Sequence, residues 1–123
     1  MKSFFMANVV AKKSYDFALE IIKLYKLLAI NKEFVLSKQL LRSGTAIGAL
    51  IREAEHAQSK ADFLNKMNIA LKEANETLYW LQLLKDSSLI SIETFDTIFP
   101  DANELVKLLV SIVKTTKLSL NRS

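Results

Sequence analysis

Apolar residues recur every three or four positions along almost the whole chain, which is the spacing of helices that bury one face. Polar breaks at residues 30–34 and 86–91, together with a helix-start signal at Ser59, divide this pattern into four segments. Ser59 and Ser91 are predicted N-caps, and Asp62 completes a carboxylate variant of the capping box. The pattern therefore predicts four helices, which run approximately over Asn8–Ala29, Glu33–Gln58, Ser59–Asp86 and Ser91–Leu118.

One stripe of each predicted helix supplies the expected core. The connections are short and favour antiparallel neighbours, so we expect an all-α fold, an up-down-up-down four-helix bundle. Other four-helix packings also fit the pattern. No linker divides the chain, which predicts a single domain over residues 1–123. Pro100 should kink helix 4 or separate its first turns. The core stripes are Val10, Ser14, Phe17, Ile21, Leu24 and Leu28; Leu36, Leu40, Ser43, Ile47, Leu50 and Ala54; Phe63, Met67, Ala70, Ala74, Leu78 and Leu81; and Phe95, Ala102, Leu105, Leu109 and Ile112.

The composition narrows the classes of protein that remain. Half of the 123 residues are hydrophobic, and the chain has two glycines, one proline and no cysteine. So little turn chemistry argues against an all-β fold, and the missing thiols exclude disulfides and thiolate metal sites. Uncharged runs such as Ser43–Ile51 are far shorter than the roughly 18 residues of a membrane span. We expect a cytoplasmic protein that makes no membrane contact.

Both glycines fall in the middle of predicted helix 2. Gly44 and Gly48 are four residues apart and therefore share one face, although each costs a helix roughly 1 kcal/mol relative to alanine. A face without side chains lets another helix approach closely or lets a bulky side chain lie across it. Tyr79 and Trp80 are the bulky candidates, and a simple bend in helix 2 is the alternative. Close packing predicts that Gly48→Leu destabilises the fold by a few kcal/mol.

Two helices carry more apolar surface than one core needs. A stripe of about 100° is enough for a helix in a lone bundle. The additional faces predict burial against further copies of the chain, whereas a broad apolar surface left in solvent is the alternative. They comprise Tyr15, Ala18, Ile22, Tyr25 and Ala29 on helix 1, and Val106, Val110 and Val113 on helix 4.

The stretch Ser43–Leu81, SGTAIGALIREAEHAQSKADFLNKMNIALKEANETLYWL, resembles the 23S rRNA-intervening sequence proteins, a bacterial family of four-helix bundles. Ala46 and Leu50 depart from the pattern, where serine and asparagine are usual. The matching positions are Ser43, Gly44, Thr45, Ile47, Gly48, Ala49, Glu53, Ala54, Ser59, Asp62, Phe63, Lys66, Lys72, Glu73, Ala74, Glu76, Thr77, Trp80 and Leu81.

The resemblance implies a homo-oligomer, in relatives a ring of five subunits, and a family without established enzymatic activity. The chain is also distantly similar to the accessory variability protein of diversity-generating retroelements, a basic ring that partners a reverse transcriptase and binds nucleic acid. We therefore expect a non-enzymatic protein whose partners are its own copies, forming a pentamer, together with RNA, DNA or another protein. A structural or protein-interaction module without nucleic-acid binding is the alternative function.

Candidate catalytic and metal-binding residues are few. Glu53 and His56 make one Glu-x-x-His motif, but a di-iron bundle needs two and the chain has a single histidine. We predict no cofactor and no metal. Glu73 should point inward and pair with a side chain of helix 2, which makes it a specifying polar contact or, as the alternative, a catalytic acid. The candidate partners are Arg42, Arg52, Ser43 and Thr45.

Charge is distributed unevenly along the chain. Residues 1–42 hold eight basic and three acidic residues, residues 43–104 hold five and ten, and residues 105–123 hold four and none. An up-down bundle brings the two basic segments together, and the patch would suit phosphate backbones without reading sequence. A solvated lysine surface is the alternative. The predicted nucleic-acid-binding residues are Lys12, Lys13, Lys23, Lys26, Lys107, Lys114 and Lys117, and the predicted helix-packing motif comprises Ser43, Gly44, Gly48, Glu53, Glu73 and Trp80.

Overall fold

A computed structural model describes the backbone of residues 2–122 and the side chains of residues 7–122. Over this range the chain forms α1 (Lys2–Ile30), α2 (Val35–Glu55), α3 (Lys60–Asp86) and α4 (Ile92–Asn121). Packing joins α1 to α2, α2 to α3, α3 to α4 and α4 back to α1, whereas the diagonal pairs of described helices stay apart. The predicted all-α, up-down-up-down four-helix bundle is confirmed.

The N-caps of α3 and α4 follow the prediction. Ser59 accepts a hydrogen bond from the backbone N–H of Asp62 at 3.0 Å, and the Asp62 carboxylate accepts one from the N–H of Gln58 at 3.3 Å. Ser91 likewise accepts from the N–H of Thr94 at 3.1 Å. These bonds satisfy N–H groups that have no partner within the helix, and so fix where each helix begins.

α2 begins two residues later than predicted because Glu33 stays outside the helix and caps it. Its carboxylate accepts hydrogen bonds from the N–H groups of Val35, Leu36 and Ser37 at 3.2, 3.0 and 2.7 Å. Burial opposes ionisation of this carboxyl, but the bonds from Leu36, Ser37 and Val35 together lower the pKa of Glu33. A carboxylate at a helix N-terminus also complements the helix dipole.

The C-terminal ends of α1 and α3 are alike, because each is followed by a residue in the left-handed conformation that is not glycine. Lys32 and Ser88 both have φ of 63°. The N–H of Glu33 donates to the carbonyl of Leu28 and the N–H of Leu89 donates to that of Leu84, each at 2.9 Å. This is the hydrogen-bond pattern of a Schellman motif, in which glycine is usual. The chain thus omits glycine where helices end and places it inside α2.

α4 runs without interruption through Pro100. Of the two alternatives predicted for Pro100, separation of the first turns is wrong, and a kink in the helix stays a prediction. Pro100 cannot donate to the carbonyl of Asp96, but both residues are exposed. Water can satisfy that carbonyl, so a continuous helix is tolerated here.

The buried core lies where the predicted stripes meet. Every predicted residue of α1 and α4 is buried, from Val10 to Leu28 and from Phe95 to Ile112. On α2, Leu36 and Leu50 are only half-buried, and Ile51 is buried instead. The helix is rotated so that Gly44 is buried, which moves the buried stripe by about one position.

Candidate nucleic-acid interface and helix-packing motif

The two glycines of α2 face α1. A Cβ atom at Gly44 would lie 2.8 Å from Cγ1 of Ile21, and one at Gly48 would lie 3.4 Å from the carbonyl oxygen of Ser14. The predicted close approach of another helix is confirmed, and the predicted bulky partners Tyr79 and Trp80 are wrong. The physical reason is that α2 turns its glycines towards α1 and its polar flank towards α3.

That polar flank holds an Arg42 network. Nη1 of Arg42 donates to both carboxylate oxygens of Glu73 at 3.0 and 3.2 Å, and Nη2 donates to Glu76. The indole N–H of Trp80 donates to Glu76 at 3.0 Å. The Glu73 side chain is 19% exposed, so its predicted pairing across to α2 is confirmed with Arg42 as the partner. Trp80 serves this network rather than the glycine face.

Two buried hydroxyls join α2 to α3 beneath the Arg42 network. The side-chain oxygens of Ser43 and Thr77 are 3.0 Å apart, and Thr77 also donates to the carbonyl of Glu73 at 2.8 Å. Both residues are fully buried. Each buried hydroxyl thereby has a partner, which removes the cost of leaving a polar group unsatisfied. The pattern of apolar residues did not single out Thr77, because a lone threonine on a core stripe is a common filler.

Glu53 takes no part in a metal site formed by described residues. Its carboxylate pairs with Lys66 at 3.4 Å and is 55% exposed, while His56 caps the C-terminal end of α2 in solvent. No group of three or more histidine, aspartate or glutamate side chains within residues 7–122 is placed to hold a metal ion.

The predicted basic residues of α1 are separated from one another. Lys12 pairs with Asp16 at 2.8 Å and Lys13 pairs with Glu104 at 2.9 Å. The hydrogen bond from Lys13 to Glu104 raises the pKa of Lys13. Lys23 and Lys26 are exposed but lie about 16 to 21 Å further along the helix, at 1.5 Å per residue.

An acidic seam lies between α1 and α4, on the N-terminal side of the α4 lysines. A cavity of about 210 Å³ between the two helices is lined by Asp16, Glu20, Asp101 and Glu104, with Lys13 as the one cation. The helices that carry the basic segments are neighbours in the bundle, as predicted, but carboxylates line part of the boundary between them. The sequence tally by segment hid this arrangement, because it does not record which face of a helix each charge occupies.

Glu20 is the most perturbed group of this seam. Its partial burial, the hydrogen bond with the Asp101 carboxyl and the charge of Asp101 raise the pKa of Glu20 to about 7, while Lys23 opposes the shift. At a pH between these two values, Glu20 therefore carries a proton in the folded protein but is ionised in the unfolded chain, where its pKa is near 4.3. The contribution of this protonation to the free energy of unfolding is complete below about pH 4 and disappears as the pH rises through about 7.

Glu20→Gln should therefore gain stability over the wild type as the pH rises from about 5 to 8, because glutamine never ionises. The check is the difference in melting temperature between variant and wild type across that range. Glu55→Gln, at an exposed position on α2, is the matched control for the change of residue type. A pH-independent difference for Glu20→Gln would contradict the raised pKa of Glu20.

The lysines of α4 form an unobstructed row. Lys107, Lys114 and Lys117 are exposed, and none of them makes an ion pair with a described residue. Their spacing of seven and three places them on one side of the helix. Lys60 of α3 lies at the same end of the bundle, where its ammonium donates to Ser119 at 2.8 Å. This contact places a cationic group of α3 against α4, at a residue two positions after Lys117.

A second surface feature is a groove between α1 and α2. It has a volume of about 290 Å³ and a floor of small residues that includes Ala11, Ala18, Gly48 and Ala49. Tyr15 stands beside it with 57% of its side chain exposed. The additional apolar stripe of α1 therefore remains outside the bundle core. On α4, by contrast, Val113 is buried within the subunit, so that part of the stripe needs no partner.

Comparisons with known proteins show which structures and sequences this chain is similar to. A crystal structure of a protein of unknown function from the S23 ribosomal protein family of Bacteroides thetaiotaomicron is similar, with 60% sequence identity and a TM-score of 0.86. The similarity covers 89% of this chain and 98% of that one. No curated protein sequence matches the chain. Residues 6–111 match the family of 23S rRNA-intervening sequence proteins, and the chain belongs to that family.

Proposed function

We propose that this protein is a non-enzymatic, homo-oligomeric accessory that holds phosphate backbones of RNA or DNA against α4. The observation that carries the proposal is the row of Lys107, Lys114 and Lys117, which is exposed and makes no ion pair with a described residue. An unpaired ammonium group can displace the counterions condensed on a phosphate backbone, whereas a paired one must first lose its carboxylate. Lys12 and Lys13 therefore contribute less than their positions in the sequence suggest.

The net charge supports the same proposal. The chain carries +4 at pH 7, and its carboxylates gather at the α1–α4 seam and in the Arg42 network. Oligomerisation would repeat the lysine row on each subunit and strengthen binding through multiple contacts. Such a surface contacts phosphates and not base edges, so binding should be nearly independent of sequence. A cytoplasmic location suits these ligands and is part of the proposal.

Replacing Lys107, Lys114 and Lys117 together with glutamine should weaken binding strongly and flatten the salt dependence. The expected loss is roughly one unit of slope in log Kd against log salt for each phosphate contact removed. Fluorescence anisotropy with RNA and DNA of mixed sequence, at several salt concentrations, measures both quantities. The fold should survive because all three side chains are exposed.

The matched control is Lys12→Gln, Lys13→Gln and Lys66→Gln in one chain. It removes the same total charge, but from lysines that are paired with Asp16, Glu104 and Glu53. If binding depended only on net charge, both triple variants would weaken it equally. Absence of binding by the wild type at tens of micromolar in low salt would refute the nucleic-acid function. The alternative, a protein-interaction module, would then take its place, and the open α1–α2 groove favours it.

Assembly is the second part of the proposal. The exposed stripe beside the α1–α2 groove supports self-association, and five subunits are the number implied by the family resemblance. Light scattering should give a mass well above one chain at micromolar concentration. Ala49→Glu, in the groove, should lower that mass, whereas Ala61→Glu, at an exposed position at the start of α3, should not. A monomeric wild type would contradict self-association, and a different number would contradict only the stoichiometry.

A further inference from the structure

Large apolar side chains are exposed at one end of the bundle. Because the helices alternate in direction, the α1–α2 and α3–α4 connections share this end, and the α2–α3 connection lies at the other. The first connection exposes Ile30, Phe34 and Val35 by 77, 48 and 74%, and the second exposes Leu89 and Ile92 by 41 and 66%. The α2–α3 connection, residues 56–59, contains no large apolar residue. We call this end of the bundle, with its two connections and their exposed apolar side chains, the loop end.

The backbone at the loop end is held in place. The Schellman motifs at Lys32 and Ser88 fix the ends of α1 and α3, and the Glu33 and Ser91 caps fix the beginnings of α2 and α4. A surface fixed in this way binds a partner without first losing conformational entropy. The exposed apolar groups thus present a preorganised surface.

Charges divide the loop end into two halves. The α1–α2 half has Lys26, Lys32 and Lys38 exposed, and its single nearby carboxylate, Glu33, is occupied by the N–H groups of α2. The α3–α4 half has Asp86, Glu93 and Asp96 exposed. Its cation, Lys85, lies over the Phe95 ring at 4.4 Å from the centroid and is 3.8 Å from Asp86. A basic half with an apolar centre therefore lies beside an acidic half with an apolar centre.

We propose that the loop end binds the loop end of a second copy of the chain. A two-fold axis that lies in the plane of this end and runs between the two connections brings each basic half against an acidic half. The same operation places Ile30, Phe34 and Val35 of one copy against Leu89 and Ile92 of the other. An apolar centre with a rim of opposite charges is the usual composition of a protein interface, and two-fold pairing is the commonest symmetry.

The charge pattern selects this occupant over two others. An anionic membrane surface would attract the basic half and repel the acidic half. A partner with one sign of charge would meet the same conflict. Only a partner that is itself divided into basic and acidic halves satisfies both, and a second copy is divided in that way by construction.

This interface is separate from the α4 lysines and from the α1–α2 groove. The particle that pairs through its loop end is either a single chain or the ring that forms through the α1–α2 groove. In both cases, end-to-end association doubles the mass of that particle. The measured quantity is therefore a factor of two in particle mass. It does not depend on nucleic-acid binding, and it does not depend on the number of subunits in the unit.

Charge reversal tests the pairing. The first variant combines Lys32→Glu with Lys38→Glu, and the second combines Asp86→Lys with Asp96→Lys. Each variant alone places like charges opposite one another, so its particle mass in light scattering at low salt should be half that of the wild type, with association more than about tenfold weaker. An equimolar mixture of the two variants restores opposite charges across the axis and should restore the doubled mass. One chain that carries all four substitutions should do the same.

The rescue distinguishes pairing from damage. All four positions are exposed and outside the core, and thermal melts of each variant check that the fold is retained. Val35→Ser with Ile92→Ser should also halve the mass, because these substitutions remove the apolar centre and leave the charges unchanged. A wild-type mass equal to that of both reversed variants would overturn the proposal, as would a mixture that fails to regain it. Binding to anionic vesicles without doubling would assign the loop end to a membrane instead.

Discussion

Replacing Gly44 with alanine is expected to lower the free energy of unfolding by about 2 kcal/mol, although alanine is the better helix former. The new Cβ atom would lie 2.8, 3.0 and 3.2 Å from Cγ1, Cγ2 and Cδ1 of Ile21. Ile21 is fully buried, and its β-branched side chain has one strongly preferred rotamer in a helix. The new Cβ atom is fixed to the backbone of α2, and Ile21 has no space to move into. The two helices must therefore separate, or Ile21 must adopt a strained rotamer.

Gly48→Ala is the matched control, one helical turn away on the same face. Its Cβ atom would meet the backbone oxygen, the backbone carbon and Oγ of Ser14 at 3.4 to 3.5 Å, which is ordinary contact. The gain in helix propensity should then leave the protein as stable as the wild type, or more stable by up to about 1 kcal/mol. Urea denaturation of both variants measures the difference. Equal effects of the two substitutions would refute close packing at Gly44.

A double-mutant cycle identifies the contact. If Ile21 is what opposes the new methyl group, the Gly44→Ala penalty should largely vanish in a background that already carries Ile21→Ala. A penalty of the same size in both backgrounds would assign it to the helix backbone. The sequence-based expectation for Gly48→Leu stays a prediction, but the tighter of the two positions is Gly44.

Much of this arrangement follows from sequence periodicity, since a glycine pair four residues apart in a helix indicates a close neighbour. The identity of the neighbour did not follow. Helix periodicity gives the angle of each residue about its own axis but not the rotation of one helix against the next. One signal in the sequence was available, because Ser14 is the small residue in the core stripe of α1. A small residue facing a glycine fits a close crossing better than Trp80 does.

The charged surface shows the same division between what sequence provides and what packing adds. The tally by segment correctly placed two basic regions on neighbouring helices. It could not show that Asp16, Glu20, Asp101 and Glu104 converge between α1 and α4, because two of these residues belong to each helix and meet only after folding. It also could not show which lysines are paired. The prediction therefore combined lysines of α1 and α4, whereas the proposed surface consists of the unpaired lysines of α4.

Arg42→Gln is expected to destabilise the fold by about 2 kcal/mol. The guanidinium bridges Glu73 and Glu76, which lie three residues apart on α3 and repel one another once the cation is gone. Glu73 is mostly buried, so water cannot fully replace the two lost hydrogen bonds. Urea denaturation measures the change.

Two further variants separate this bridge from an ordinary surface ion pair. Lys66→Gln removes the other ion pair between α2 and α3, in which Glu53 is 55% exposed, and should change the free energy of unfolding by no more than about 0.5 kcal/mol. Arg42→Lys keeps the charge but lacks the planar fork that reaches two carboxylates, so it should recover only part of the loss. If lysine restored full stability, the charge alone would be sufficient, and the two-carboxylate geometry of Arg42 would not be what holds α2 against α3.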